Sequence, residues 1–293
     1  MSLLEGPWKH EYIISNGVKL HYVTQGEGPL MLMLHGFPEF WYSWRHQIPE
    51  FAKDFKVVAL DLRGYNDSDK PHDSSTYVMD EFMMDIEGVI QGLGYDCCVL
   101  VGHDWGGAIA WNFAYAYPNM VDKLIVLNLP HPAKFAEGLR TPQQLLRSWY
   151  IFLFQLPWLP EALLQWSNYQ VIEAAFKAMA VNKSALTQAD IEAYKDAAAK
   201  RGALTAMVNY YRNILQQRFF NQDWSVLEVP TLMIWGENDT ALGKELTYGT
   251  EAYVQNLRIH YIPNCSHWVQ QEQPQLVNQY IREFLAEKQG TTA

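Results

Sequence analysis

The decisive stretch of this sequence is Gly102-His103-Asp104-Trp105-Gly106-Gly107, which follows the apolar run Cys97–Val101. A strand that turns abruptly into a helix strains the backbone of its central residue, and small neighbours let the turn close. The spacing is that of a nucleophile elbow with an aspartate at its centre, and the helix N-terminus behind Asp104 would stabilise its negative charge. Aspartate also favours a plain helix N-cap, but an N-cap needs no glycines on both sides.

On both sides of this turn, the chain alternates between short apolar runs and helical patterns. Six runs predict buried strands: Leu30–Leu34, Lys56–Leu60, Cys97–Val101, Lys123–Leu127, Pro230–Trp235 and Leu257–Ile262. Helical patterns cover Tyr77–Leu93, Ala108–Tyr117, Lys244–Gln255 and Gln275–Glu287. Before them, Asn16-Gly17 joins Glu11–Ser15 to Val18–Thr24 in a predicted hairpin. Together these patterns predict an α/β fold with a mostly parallel eight-stranded sheet flanked by helices.

The alternation stops between Ala133 and Asn221, where helical spacing continues without a convincing strand. We therefore predict a core of residues 1–133 and 222–293, with an inserted helical cap, or lid, over residues 134–221. Within the cap, Trp149–Trp166 is apolar but is interrupted by Pro157, Pro160 and Glu161. A membrane-spanning helix is therefore excluded, and we predict a buried or ligand-facing helix pair. Peripheral contact with a bilayer is the alternative.

The composition limits the classes of binding partner and the cellular compartment that we expect for this protein. The chain has 49% hydrophobic and 18% charged residues and a formal net charge of −10. It has no basic run that would neutralise phosphates, so we expect no nucleic-acid partner. Its three cysteines cannot form a disulfide framework, and the N-terminus lacks the pattern of a signal peptide. We expect a cytoplasmic protein, and the oligomeric state cannot be read from the sequence.

Two candidate partners for Asp104 follow later strands of the predicted sheet. Asp239 comes after Pro230–Trp235, and His267 comes after Leu257–Ile262. The carboxyl ends of parallel strands meet at one edge of a sheet, so these side chains should converge on Asp104. Nucleophile, acid and histidine is also the chain order of an α/β-hydrolase triad. His103, next to the elbow aspartate, should point elsewhere and is interpreted as structural.

The loop His35-Gly36-Phe37-Pro38 directly follows the strand Leu30–Leu34. In this architecture such a loop supplies one backbone N–H of an oxyanion hole, here from Phe37, and Trp105 supplies the other. The proline after Phe37 restricts the local backbone, and a cis bond before it is an option.

These motifs together resemble an epoxide hydrolase of the α/β-hydrolase superfamily, over about Tyr12 to Leu285. The matching pieces are His35–Trp41, Asp61–Tyr65, Gly102–Gly107, Gly236–Asp239 and Ser266–Trp268. One departure is Asn66, where the family often has glycine, although asparagine also tolerates a left-handed backbone.

The resemblance implies that Asp104, Asp239 and His267 are catalytic, and that two cap tyrosines protonate the epoxide oxygen. Tyr211 matches the second of these tyrosines, and Tyr150 matches the first by its spacing to Phe154-Gln155. The cap contains other candidates: Tyr169, Tyr194 and Tyr210. We expect a substrate pocket that includes His35, Pro38, Trp105 and Trp268, and we expect no metal and no organic cofactor. The partners would be a small hydrophobic epoxide and water, and the product a vicinal diol.

Two other functions use the same features. A haloalkane dehalogenase shares the aspartate nucleophile, and the indole of Trp105 would suit a halide, but Phe37 stands where those enzymes usually have Asn or Glu. A fluoroacetate-type dehalogenase would have Arg at position 105. A catalytically silent binder of a hydrophobic ligand is the second alternative, although such proteins usually lose a member of the triad. A serine esterase is excluded because no serine occupies the elbow.

Overall fold

The computed structural model describes residues 3–214 and 224–287. The strands in these ranges are β1 Lys9–Ser15, β2 Val18–Gln25, β3 Leu30–Leu34, β4 Lys56–Leu60, β5 Cys98–His103, β6 Val121–Leu127, β7 Thr231–Gly236 and β8 Leu257–Ile262. They form an eight-stranded sheet in the order β1-β2-β4-β3-β5-β6-β7-β8. All neighbouring pairs from β4 to β8 in this order are parallel. The strand β2 pairs antiparallel with both β1 and β4. The predicted mostly parallel sheet is therefore confirmed.

Helices cover both faces of the sheet and follow most of its strands. In the described residues they are α1 Ile48–Phe51, α2 Met79–Gly92, α3 Trp105–Ala116, α4 Pro132–Gly138, α5 Pro142–Arg147, α6 Trp149–Leu153, α7 Leu159–Met179, α8 Gln188–Ala199, α9 Ala203–Ile214, α10 Val269–Glu272 and α11 Pro274–Ala286. All five residues of β3 are buried, as are all six of β5. Strands buried on both faces need continuous apolar side chains, and for this reason simple apolar runs predicted them.

The helices α4 to α9 occupy the connection between β6 and β7. The predicted start of the cap, residue 134, falls inside α4, and its predicted end, residue 221, lies outside the described residues. Thr187 begins α8 with a capping box, in which its hydroxyl and the Asp190 carboxylate each accept from the other's backbone N–H. These helices stand above the strand ends that carry the chemical motifs.

One predicted helix is wrong. The segment Lys244–Gln255 forms only two short 3₁₀ turns, Lys244–Thr247 and Thr250–Ala252. After the first turn Tyr248 is extended, with φ −69° and ψ +130°, and Gly249 then has φ +81°, a left-handed conformation that precedes the second turn. The periodicity of apolar residues was compatible with a helix, but this backbone reversal breaks it.

The apolar segment Trp149–Trp166 forms α6 and the first part of α7. Ile151 is buried, whereas Trp149, Trp158 and Trp166 are 62–72% exposed. The predicted helix pair therefore forms, with one side buried and the other open to solvent. Among the described residues, no helix is both long and apolar enough to span a membrane.

Candidate active site

Asp104 occupies the strained turn between β5 and α3. Its φ and ψ are +50° and −122°, a conformation that few residues other than glycine adopt, and its side chain makes no N-cap hydrogen bond. A Cβ added at Gly106 would overlap the Leu34 carbonyl, and one added at Gly36 would overlap Asp104 itself. The glycines therefore let the elbow sit directly against β3. The plain N-cap interpretation is not supported.

His267 lies between two carboxylates at this sheet edge. Its Nδ1 is 2.7 Å from Oδ2 of Asp239, and its Nε2 is 3.6 Å from Oδ2 of Asp104. Asp239 also accepts hydrogen bonds from the backbone N–H groups of Ala241 and Leu242, at 2.8 and 2.9 Å. The structure thus brings together the three side chains that the sequence placed after β5, β7 and β8.

The protonation equilibria of Asp104 and His267 are coupled. Burial disfavours the charge of Asp104, but the attraction of His267 and the N–H of Phe37 outweigh it and lower its pKa. Burial likewise disfavours the charge of His267, yet the carboxylates of Asp239 and Asp104 raise its pKa well above the ordinary value. Each group therefore stabilises the charged form of the other, the carboxylate of Asp104 and the imidazolium of His267.

The loop after β3 contacts Asp104 directly. The backbone N–H of Phe37 donates to Oδ1 of Asp104 at 2.8 Å, and the Phe37–Pro38 bond is cis, as the sequence allowed. Trp105 is the first residue of α3, so its N–H is one of the donors that a helix leaves unpaired. The two predicted oxyanion donors therefore lie on either side of Asp104, one in the loop after β3 and one at the start of α3.

A cavity of about 50 Å³ opens beside Asp104. Tyr150 and Tyr211 line it from the cap, with ring centroids 5.8 Å apart. Burial, reinforced by the negative charge of Asp104, raises the pKa of both phenols well above the ordinary value, so both remain proton donors. The remaining lining, besides Trp105, is apolar: Ala108, Leu129, Pro130, Pro132, Phe135, Ile151, Ile214 and Leu242.

The other cap tyrosines are directed elsewhere. The hydroxyl of Tyr210 donates to the Arg63 carbonyl at 2.7 Å, and that of Tyr194 donates to Gln271 at 2.7 Å. Tyr169 does not line the cavity. Of the five candidate tyrosines, the cavity thus contains the two that the resemblance indicated.

Three of the four predicted pocket residues do not line this cavity; only Trp105 does. The ring of His35 is fully buried, and its Nε2 accepts from the backbone N–H of Leu62 at 3.1 Å. Pro38 is buried in the cis turn. Trp268 packs against Phe176 with ring centroids 4.5 Å apart. Proximity in sequence to the site does not determine which way these side chains point.

Comparison with known proteins places this site in a family. The sequence profile of the α/β hydrolase fold family matches residues 29–274. "Epoxide hydrolase 4" of Homo sapiens is 45% identical over 284 residues, which are 94% of this chain and 78% of that protein. An inhibitor-bound crystal structure of Bacillus megaterium epoxide hydrolase is 42% identical with a TM-score of 0.87, over 94% of this chain and all of that one.

The chain belongs to the epoxide hydrolase family. The crystal structure of a Vigna radiata epoxide hydrolase supports this assignment. It is 30% identical with a TM-score of 0.83, over 95% of this chain and 98% of that one. The predicted resemblance to the epoxide hydrolases is therefore confirmed.

Several polar residues that support this epoxide hydrolase site were not predicted. The Asn128 amide donates to Oδ2 of Asp239 at 2.8 Å, and its Oδ1 accepts from the Gly236 N–H at 2.9 Å. The ring of His103, as expected for a structural residue, bridges Glu39 at 2.9 Å and the His267 carbonyl at 2.8 Å. Asn128 directly follows β6, so its position at the strand end was an available signal.

One cluster of potential metal ligands is present in the described part of the chain: His21, Asp61 and Asp67. His21 lies within β2 and the two aspartates lie in the loop after β4, and these side chains already have partners. Asp61 contacts His21 at 2.6 Å and accepts from Asn66 at 2.7 Å, and Asp67 pairs with Lys200 at 2.5 Å. The cluster is a hydrogen-bond network that orders this loop. Asn66 has φ +39°, as the sequence allowed.

Proposed function

We propose that this chain hydrolyses an epoxide to a vicinal diol through an ester on Asp104. The observation that carries the proposal is the convergence of one carboxylate and two phenols on the same cavity, with an imidazole next to the carboxylate. Asp104 and His267 are 3.6 Å apart, and Tyr150 and Tyr211 line the cavity into which Asp104 opens. This set can attack carbon, donate to a departing oxygen and activate water.

In the first step, Oδ2 of Asp104 attacks an epoxide carbon. Phe37 holds Oδ1 of the same carboxylate, which leaves Oδ2 free for the new bond. The ring C–O bond breaks as the ester forms, and the oxygen takes its proton from Tyr150 or Tyr211. An alkoxide is a poor leaving group in an apolar cavity, so a neutral phenol on each side lowers the barrier.

In the second step, His267 takes a proton from water and the resulting hydroxide attacks the ester carbonyl. Esterification removes the negative charge of Asp104, which lowers the pKa of His267. The imidazolium proton then passes through solvent to the phenolate left by the first step, and the neutral imidazole is a base. Asp239 holds the imidazole and stabilises its charge. The N–H groups of Phe37 and Trp105 receive the oxyanion. Collapse releases the diol and restores the Asp104 carboxylate.

The phenols favour this reaction over dehalogenation. A halide leaves as a stable anion and needs no proton, whereas an epoxide oxygen does, and the cap provides two neutral donors beside the nucleophile. The complete triad favours catalysis over ligand binding alone. The mostly apolar lining supports a small hydrophobic epoxide as the substrate with water as the second reactant. The cytoplasmic location stays a prediction from the sequence.

The test is to trap the ester. A His267→Gln variant incubated with styrene oxide should gain one substrate mass, because the ester forms but is not hydrolysed. The Asp104→Ala, His267→Gln double variant should gain none. The unmodified chain should convert styrene oxide to its diol and release no halide from a bromoalkane. Full diol formation by Asp104→Ala would rule out the mechanism, and halide release without diol would favour the dehalogenase.

A further inference from the structure

The side chain of Gln155 joins the two cap helices that carry the phenols. Its amide nitrogen donates to the carbonyl of Ile151 at 3.0 Å and to the carbonyl of Tyr211 at 2.8 Å. Ile151 is the residue after Tyr150 on α6, and Tyr211 is itself on α9. A carboxamide nitrogen has two hydrogens, so each can serve one helix. One amide group therefore connects the backbone at both tyrosines.

Arg212 forms a second connection beside the first. Its Nη2 donates to the Leu156 carbonyl at 2.9 Å. The guanidinium also forms a bidentate pair with Glu161 in the first turn of α7, at 2.7 and 3.0 Å. Arg212 directly follows Tyr211, and Leu156 directly follows Gln155. We call these contacts of Gln155, Arg212 and Glu161 the cap clamp.

A clamp is needed because the helix under Tyr150 is short. The helix α6 covers only Trp149–Leu153, and an isolated helix of this length is unstable. The distance between the two phenol oxygens is therefore set by contacts between helices. Phe154 packs against the Tyr211 ring with centroids 4.9 Å apart, but ring packing does not determine position along the helix axis as hydrogen bonds do.

We propose that Gln155 is a positioning residue that sets the two phenols for simultaneous donation to the substrate oxygen. This inference rests on the proposed function, in which Tyr150 and Tyr211 act together in ester formation. Gln155 does not line the cavity and does not touch the reacting atoms. Its effect must therefore be confined to the step that uses the phenols, and the step that uses His267 must be spared.

The experiment measures both half-reactions with styrene oxide in single turnovers. Gln155→Glu keeps the shape but replaces both donor hydrogens with an acceptor, and Gln155→Ala removes the group without adding charge. Each should slow ester formation by about tenfold to a hundredfold, because small misplacement of reacting groups has effects of this size. Ester breakdown should not change. Gln170→Glu, the same exchange at an exposed site on α7, is the matched control.

A double-mutant cycle separates positioning from general damage. In a Tyr150→Phe, Tyr211→Phe background, Gln155→Ala should have no further effect on ester formation, because the groups it positions are gone. An equal effect in both backgrounds, or equal slowing of both half-reactions, would overturn the proposal. If the Gln155 variants fail to fold, Arg212→Lys is the alternative, because it loses the bidentate pair with Glu161. It should slow ester formation and not ester breakdown. Equal slowing of both would contradict the positioning role of the cap clamp.

The same measurements distinguish this inference from the proposed function. Absence of an ester in the His267→Gln variant with an otherwise native cap would contradict the proposed function. An ester that forms at the same rate with and without the Gln155 amide would contradict only the positioning role of Gln155.

Discussion

Asp104 and His267 are two groups whose environments move their pKa values in opposite directions. Burial alone would favour the neutral forms, but the ion pair and Asp239 outweigh it, so the pKa of Asp104 is lowered and that of His267 is raised. In the proposed mechanism the two groups act in different steps, Asp104 in its charged form and His267 in its neutral form. Ester formation needs the Asp104 carboxylate, and ester breakdown needs a neutral imidazole. The two half-reactions should therefore respond differently to pH.

We expect ester formation to persist as the pH falls to about 4, because the lowered pKa keeps Asp104 ionised in and below the ordinary carboxyl range. Ester breakdown should be lost at a higher pH, since His267 must lose its proton. Stopped-flow indole fluorescence across a pH series would resolve the two phases. Loss of both phases at one common pH would contradict the assignment of roles.

The phenols of Tyr150 and Tyr211 are expected to share one task. Tyr150→Phe and Tyr211→Phe should each slow ester formation by about 10- to 100-fold, and the double variant should remove most of the remaining turnover. Because burial raises both pKa values well above the ordinary value, neither phenol should ionise, and activity should not fall on that account up to pH 9. Diol formation at each pH is the measurement; unchanged kcat in the double variant would contradict the role of the phenols.

At the scale of elements, the site depends on how closely α3 approaches β3. Gly106 faces the Leu34 carbonyl, and backbone contact at this point brings Asp104 next to Phe37. A side chain here would separate the helix from the strand, and every distance in the site would change with it. The elbow is therefore a requirement for stability as well as for catalysis.

We expect Gly106→Ala to reduce the free energy of unfolding by about 3 kcal/mol or more, because backbone atoms cannot yield as a flexible side chain can. Gly17→Ala is the control, since Gly17 has φ +75° with open space around it and should cost only about 1 kcal/mol. Urea unfolding measures both. Equal effects of the two substitutions would show that close approach is not what requires glycine at 106.

At the scale of the whole molecule, Glu272 connects the cap to the core. This buried carboxylate accepts from the N–H groups of Val181 and Asn182 in the cap, both at 2.8 Å, and from Ser266, whose N–H is at 3.1 Å. Ser266 precedes His267. One side chain on α10 therefore links the cap to the loop that carries His267, in addition to cap–core contacts such as that of Tyr210 with Arg63.

Removal of this carboxylate should weaken that connection. Glu272→Ala leaves several buried donors without an acceptor, and we expect it to lower the free energy of unfolding by about 3 kcal/mol. Limited proteolysis should then cut the cap sooner than in the unmodified chain. Glu251→Ala, at an exposed position, is the matched control. Unchanged stability and proteolysis in Glu272→Ala would exclude this role.

Local sequence patterns were enough to predict the strands, the order of the chemical residues and the elbow. Each of these depends on residues that are close together in the chain, because a buried parallel strand needs a continuous apolar run and a strained turn needs glycine neighbours. The edge at which Asp104, Asp239 and His267 meet followed from the parallel topology. The helix predicted over Lys244–Gln255 was wrong because the extended Tyr248 and the left-handed Gly249 interrupt the helical backbone despite the apolar spacing.

The three-dimensional packing was needed to show that His35 and Trp268 point away from the cavity, and which hydrogen bonds Gln155 and Glu272 form. It also separates Tyr150 and Tyr211, which the resemblance indicated, from the other three cap tyrosines. These outcomes depend on contacts between residues that are distant in the chain, such as Gln155 with Tyr211 and Val181 with Glu272. The direction of a side chain within a packed helix depends on the helices around it, and no periodicity within its own segment specifies those neighbours.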